Sequence, residues 1–107
     1  MSVKKELSSL IKKSLSLLDK ENKFSDLNIT IEIPTKKENG DYSTNVALTL
    51  TKILHQNPLE IAENIVNNIE KNEMIDEIKI AAPGFINFYF INHFIFFYII
   101  YNIFCYF

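Results

Sequence analysis

Apolar side chains recur through residues 2–20 at Val3, Leu7, Leu10, Ile11 and Leu18. These positions share one helical face, with Ser14 as a small polar interruption, while Lys4, Lys5, Lys12 and Lys13 fall elsewhere. The pattern predicts an amphipathic helix whose apolar face packs on a core. From Leu27 to Ile33 the period changes to two. Leu27, Ile29, Ile31 and Ile33 lie on one side, Asn28, Thr30 and Glu32 on the other, which predicts a half-buried strand. Pro34 ends it, because proline has no N–H for the ladder. Residues 35–42 form a polar loop punctuated by Gly40.

A second helix follows, with Ser43 or Thr44 as its N-cap and Val46, Ala47, Leu50, Ile53 and Leu54 as its buried stripe. Asn57-Pro58 starts a third, Asn57 as N-cap and Pro58 at the first helical position, where a missing N–H costs little. Its stripe is Ile61, Ala62, Ile65, Val66 and Ile69. Two short strands close the pattern, Glu77–Ala82 and Phe85–Phe90, separated by Pro83-Gly84. The predicted fold class is α+β: about three helices packed on one face of a small, mostly antiparallel sheet of three or four strands. Helices on one face leave the other face open for a partner.

At 107 residues the chain accommodates one small domain. The net charge of −2 argues against a strongly basic nucleic-acid binder. That sum hides an asymmetry, because residues 1–23 hold six lysines against three acidic residues, a local +3. Arginine is absent, so any phosphate contact is a lysine point charge and not a bidentate fork. The one cysteine, Cys105, excludes an intramolecular disulfide and fits a reducing compartment. The N-terminus lacks the apolar core of a secretory signal.

Catalytic chemistry finds no foothold in the sequence. His55 and His93 are far apart and have no Cys or carboxylate at metal-ligand spacing, so no metal site is expected. His55 is placed at a helix end, where the dipole favours a cation. Two glycines cannot build a phosphate cradle of the G-x-G-x-x-G or Walker type. Glu73, Asp76 and Glu77 read as solvated loop acids. No catalytic residue is assigned.

Three segments carry a resemblance. Gly40-Asp41-Tyr42-Ser43-Thr44-Asn45-Val46-Ala47, Asn57-Pro58-Leu59-Glu60-Ile61-Ala62-Glu63 and Pro83-Gly84-Phe85-Ile86-Asn87-Phe88 stand in this order across roughly residues 1–90. Together they resemble the N-terminal accessory domain of arginyl-tRNA synthetases. Most of these residues also have structural work to do. Gly40 turns the loop, while Asp41, Tyr42, Thr44 and Asn45 belong to a run whose short polar side chains suit turns and the cap of the second helix.

Phe85 and Asn87 are different, because on a strand they point to one face. On an open face they make a small base-reading unit: the ring stacks and the amide offers a donor and an acceptor. On a closed face Phe85 is core and Asn87 merely faces the edge. The resemblance favours the first. It implies that Gly84, Phe85 and Asn87 form a tRNA-binding site that meets the D-loop of tRNA-Arg at the elbow, through the open sheet face. Position 82, polar in some members, is Ala here.

The resemblance further implies a cytoplasmic, monomeric domain at residues 1–90. It also implies that arginine–tRNA ligation with ATP belongs to parts of the enzyme beyond these segments, since neither a His-Ile-Gly-His-type nor a Lys-Met-Ser-Lys-Ser-type motif occurs. No cofactor is expected in this chain itself, which is read as inactive alone. A tRNA-binding subunit working in trans with a separate catalytic chain is a variant of this reading.

Residues 91–107 break the pattern. They contain no charged residue and use only Ile, Asn, His, Phe, Tyr and Cys. Three origins fit: a frameshift or truncation through AT-rich sequence, a diverged connecting helix, or a C-terminal membrane anchor. The last defines the alternative function, a small membrane-anchored α+β interaction protein. Asn92, His93 and Asn102 interrupt such an anchor, and no lysine cluster flanks it.

Overall fold

The computed structural model describes residues 3–19, 24 and 27–91. The first helix, α1, runs Val3–Leu18 and buries Leu7, Ile11, Ser14 and Leu15. Their spacing of four, three and one places them on a single stripe. Leu15 joins the face that periodicity assigned to its neighbours. Ser14, the polar interruption, is fully buried and donates its hydroxyl to the Ile65 carbonyl at 2.7 Å. It therefore costs little in the core and ties α1 to the third helix.

The expected strand over 27–33 is much shorter in the structure. Only Ile31–Glu32 pairs, as β1. Residues 27–30, which precede it, take no part in the ladder. A turn of 3-10 helix at Lys37–Asn39 leads into Gly40. The expected loop then becomes a strand: Tyr42–Thr44 is β2, paired with β1 on one side. On its other side lies β4, Phe85–Phe90, which pairs in turn with β3, Ile75–Ala81. The sheet order is β1-β2-β4-β3, antiparallel throughout.

Helix α2 spans Val46–Leu54 and α3 spans Pro58–Asn67. Asn57 caps α3 as expected, its Oδ1 accepting the Leu59 N–H at 2.9 Å. His55 closes α2 in the left-handed region, φ 54° and ψ 37°, with its N–H donating to the Thr51 carbonyl. The start of α2 departs from expectation. Asn45 occupies the N-cap position without a side-chain cap bond. Ser43 belongs to β2, and Thr44 reaches the helix only through its Oγ1, which accepts the Val46 N–H at 3.3 Å.

One core lies between the helices and the sheet. Leu7, Ile11, Leu50, Ile61, Ile65, Ile86 and Phe88 are fully buried in it. Along β4 the alternation is strict: Ile86, Phe88 and Phe90 face the helices, and Phe85, Asn87 and Tyr89 face away. The three helices and the four-stranded antiparallel sheet make the α+β architecture expected from the patterning. The membrane-anchor, connecting-helix and frameshift readings of the tail concern residues that, Ile91 apart, lie outside those described.

Candidate nucleic-acid interface

The register of the sheet assembles the outward face. Glu32 stands opposite Ser43, Ser43 opposite Asn87, and Asn87 opposite Lys79. One polar row thus crosses all four strands. Residues directly opposite on neighbouring antiparallel strands have Cβ atoms about 4.5–5.5 Å apart, close enough to touch. Ser43 and Asn87 do so, the Ser43 hydroxyl donating to the Asn87 Oδ1 at 2.7 Å.

This face is only partly open. The Tyr89 hydroxyl donates to the Glu38 carbonyl, which draws the segment after β1 over the outer side of β4. Lys79 sits with its Nζ 5.2 Å from the centre of the Tyr89 ring. Between that segment and the β3–β4 turn runs a groove of about 460 Å³, lined on one side by Ile33, Pro34, Thr35 and Asn39 and on the other by Ala81, Ala82 and Phe85. Ser43 and Asn87 also line it. Its volume lies within the range of small-ligand sites, roughly 300–1,000 Å³.

Phe85 retains 36 % of its surface at this groove, whereas Asn87 retains only 5 %. Both line the same groove, as their shared strand face requires. Ala82 lies in the groove wall as well. Gly84 stands apart from them. A Cβ there would come within 2.9 Å of the Pro58 Cβ and 3.3 Å of Leu48, so its small size lets the turn pack against α2 and α3. It faces the helices and does not line the groove.

The Gly-Asp-Tyr-Ser-Thr-Asn run is resolved residue by residue. Gly40 adopts φ 93°, and a Cβ there would sit 2.8 Å from the Phe88 carbonyl oxygen. The Asp41 carboxylate accepts the Phe90 N–H at 2.8 Å, while its own N–H donates to the Phe88 carbonyl. Asp41 therefore extends the β2–β4 ladder and does not cap α2. Tyr42 turns to the helix side, its ring 5.3 Å from that of Phe90. Thr44 is buried, with its hydroxyl on the Thr30 carbonyl.

Two groove residues escaped the sequence reading. The alternation places Ile33 on the apolar, inward side of a longer strand. Because pairing stops at Glu32, it turns outward instead and is 65 % exposed beside the groove. The sequence pattern offers Ser43 or Thr44 as the cap of α2, and nothing local signals the bond of Ser43 to a residue 44 positions away. Among the described residues no cluster of His, Cys, Asp or Glu is arranged to hold a metal ion.

The comparisons place this architecture. Residues 3–90 match the family model described as the arginyl tRNA synthetase N terminal domain. The chain belongs to this family. The arginine–tRNA ligases of Staphylococcus carnosus and Thermotoga maritima are 50 % and 48 % identical to it over 68 residues. The aligned part covers 63 % and 64 % of this chain and 12 % of each ligase, so the chain spans about an eighth of the length of these relatives.

Among solved structures, the arginyl-tRNA synthetase of Thermus thermophilus superposes with a TM-score of 0.72 at 20 % identity, covering 86 % of this chain and 14 % of that one. The Plasmodium falciparum enzyme gives 0.69 at 21 % identity, covering 85 % and 16 %. At these identities the likeness speaks to the fold alone: about a seventh of each enzyme carries the same α+β arrangement.

Proposed function

We propose that this chain supplies the tRNA-elbow contact of an arginine–tRNA ligase, binding the D-loop of tRNA-Arg as a monomeric domain of residues 1–90 in the cytoplasm. The observation that carries this reading is the exposed Phe85 ring sharing one groove with the Asn87 amide. An aromatic face beside a polar edge suits an unpaired base, which stacks on the ring and hydrogen-bonds to the amide. Gly84 contributes by fixing the turn that presents Phe85. Arginine activation and ATP binding are assigned to the rest of such an enzyme, and no metal or cofactor is assigned to these residues.

Among the described residues no helix is long and apolar enough to cross a membrane, and no observation there favours the membrane-anchored alternative. The test compares two exposed apolar residues on opposite layers. Phe85→Ala should weaken binding of a tRNA-Arg transcript by about 1–3 kcal/mol, the worth of stacking one base. That is roughly 5- to 150-fold in Kd. Leu17→Ala, at a site on α1 that is 62 % exposed, should leave the affinity unchanged. Equal affinities for the two variants would defeat the proposed role of Phe85.

A further inference from the structure

Exposed apolar side chains scattered singly need no explanation, but two that share one groove do. Among the described residues four large ones are exposed: Leu17, Ile33, Leu59 and Phe85. Leu17 and Leu59 lie on α1 and α3, in the helix layer. Ile33 and Phe85 both line the groove, one on each wall. They reach it from distant parts of the chain, Ile33 just after β1 and Phe85 at the start of β4. The wall that carries Ile33 is held in two ways. Pro34 follows it, and a residue before proline is steered to extended backbone. Farther along, the Tyr89 hydroxyl fastens the Glu38 carbonyl over β4.

The rest of the lining is polar but carries no cation. Thr35, Asn39, Ser43 and Asn87 supply hydroxyls and amides, and Glu32 is the one charged residue. A carboxylate repels phosphate, so this lining suits a neutral ligand with polar edges. An unpaired base has that chemistry, two flat faces and a hydrogen-bonding rim. The Ser43 hydroxyl and the Asn87 amide can each donate and accept, whichever way the amide is turned.

We propose that Ile33 is a second binding residue of the groove, covering the face of the base that Phe85 leaves bare, an inference that rests on the base-binding function above. Stacking on one ring leaves the other face of the base in water. An aliphatic side chain on the opposite wall removes that face from water and buries its own exposed carbons. A hydrocarbon surface has no hydrogen-bonding edge, so Ile33 adds affinity without selecting among bases.

The experiment uses the full chain and a series of tRNA-Arg transcripts. Abasic substitution at each unpaired D-loop nucleotide locates the base that is held. Ile33→Ala should weaken binding of the intact transcript roughly 4- to 15-fold, the worth of one to two buried methylene groups. On the transcript that lacks the held base, the same substitution should change affinity by less than about twofold, because the two losses remove one contact. Ile33→Leu, which keeps the carbon count, should bind the intact transcript within about twofold of wild type.

Ile33 is exposed and lies outside the ladder, so its truncation removes little from the core, and thermal melts establish that each variant is folded. Wild-type affinity in folded Ile33→Ala, or an equal loss on the intact and abasic transcripts, overturns the proposal and leaves the stacking role of Phe85 standing. If neither Phe85→Ala nor any abasic site weakens binding, the functional reading fails, and the role of Ile33 fails with it.

Discussion

Gly40 shows how a single residue joins loop geometry to sheet formation. Its φ of 93° with ψ near 180° belongs to a region that is essentially reserved for glycine, and the Phe88 carbonyl leaves no room for a Cβ. Gly40→Ala should cost about 1–3 kcal/mol in urea unfolding. The need for glycine in this loop was legible in the sequence, as was the Asn57-Pro58 helix start. The role of Asp41 was not. Short polar residues next to a helix suggest a local cap, but this carboxylate bonds an N–H 49 residues away. Local chemistry cannot reveal a partner that only tertiary folding supplies. Asp41→Ala leaves the Phe90 N–H without that charged acceptor, and a loss of about 1.5–3 kcal/mol is expected in the same unfolding assay.

Elements were legible in proportion to their length. The three helices carry enough turns for their stripes to stand out, and β4 shows its alternation over six residues. Strand β2 has only three residues, of which the inward Tyr42 and Thr44 carry hydroxyls, so no apolar alternation marks it. Its place is set by pairing on both sides, with β1 and β4. Strand β1 is the converse case. Four alternating apolar residues suggested a longer strand, but only Ile31 and Glu32 find partners, and Ile33 is left exposed at the groove.

That difference explains why half of the candidate site was visible beforehand. Phe85 and Asn87 were identifiable on β4, whereas Ile33 and Ser43 depend on where pairing begins and ends. Between the helices, the Ser14 hydroxyl on the Ile65 carbonyl is a polar tie. The same carbonyl also accepts the Asn68 N–H, so Ser14→Ala does not orphan it. The expected destabilisation is then about 1 kcal/mol, read as a lower urea midpoint with an unchanged slope.

At the scale of the whole molecule, charge and groove are segregated. Lys4, Lys5, Lys12 and Lys13 are exposed on α1, in the helix layer, whereas the groove opens on the other side of the sheet. Lys13 is paired with Glu70 at 3.2 Å on the surface, an interaction worth little in water. Lys79 stands on the outer face directly opposite Asn87 and is the nearest cation by register to the proposed base site. Binding through this face should therefore engage few phosphates and depend only weakly on salt. Lys79→Ala should lower the slope of log K against log salt by about one unit, one phosphate contact's worth.

The most direct test of the central claim is to record backbone and side-chain NMR spectra of the labelled chain as tRNA-Arg is added. If the sheet face is the interface, the signals that shift are those of Ser43, Lys79, Phe85 and the Asn87 amide, while the outer residues of α1 stay in place. Shifts centred on Lys4, Lys5 and Lys12, with the groove residues unmoved, would contradict the account and transfer the interface to the lysine-bearing helix.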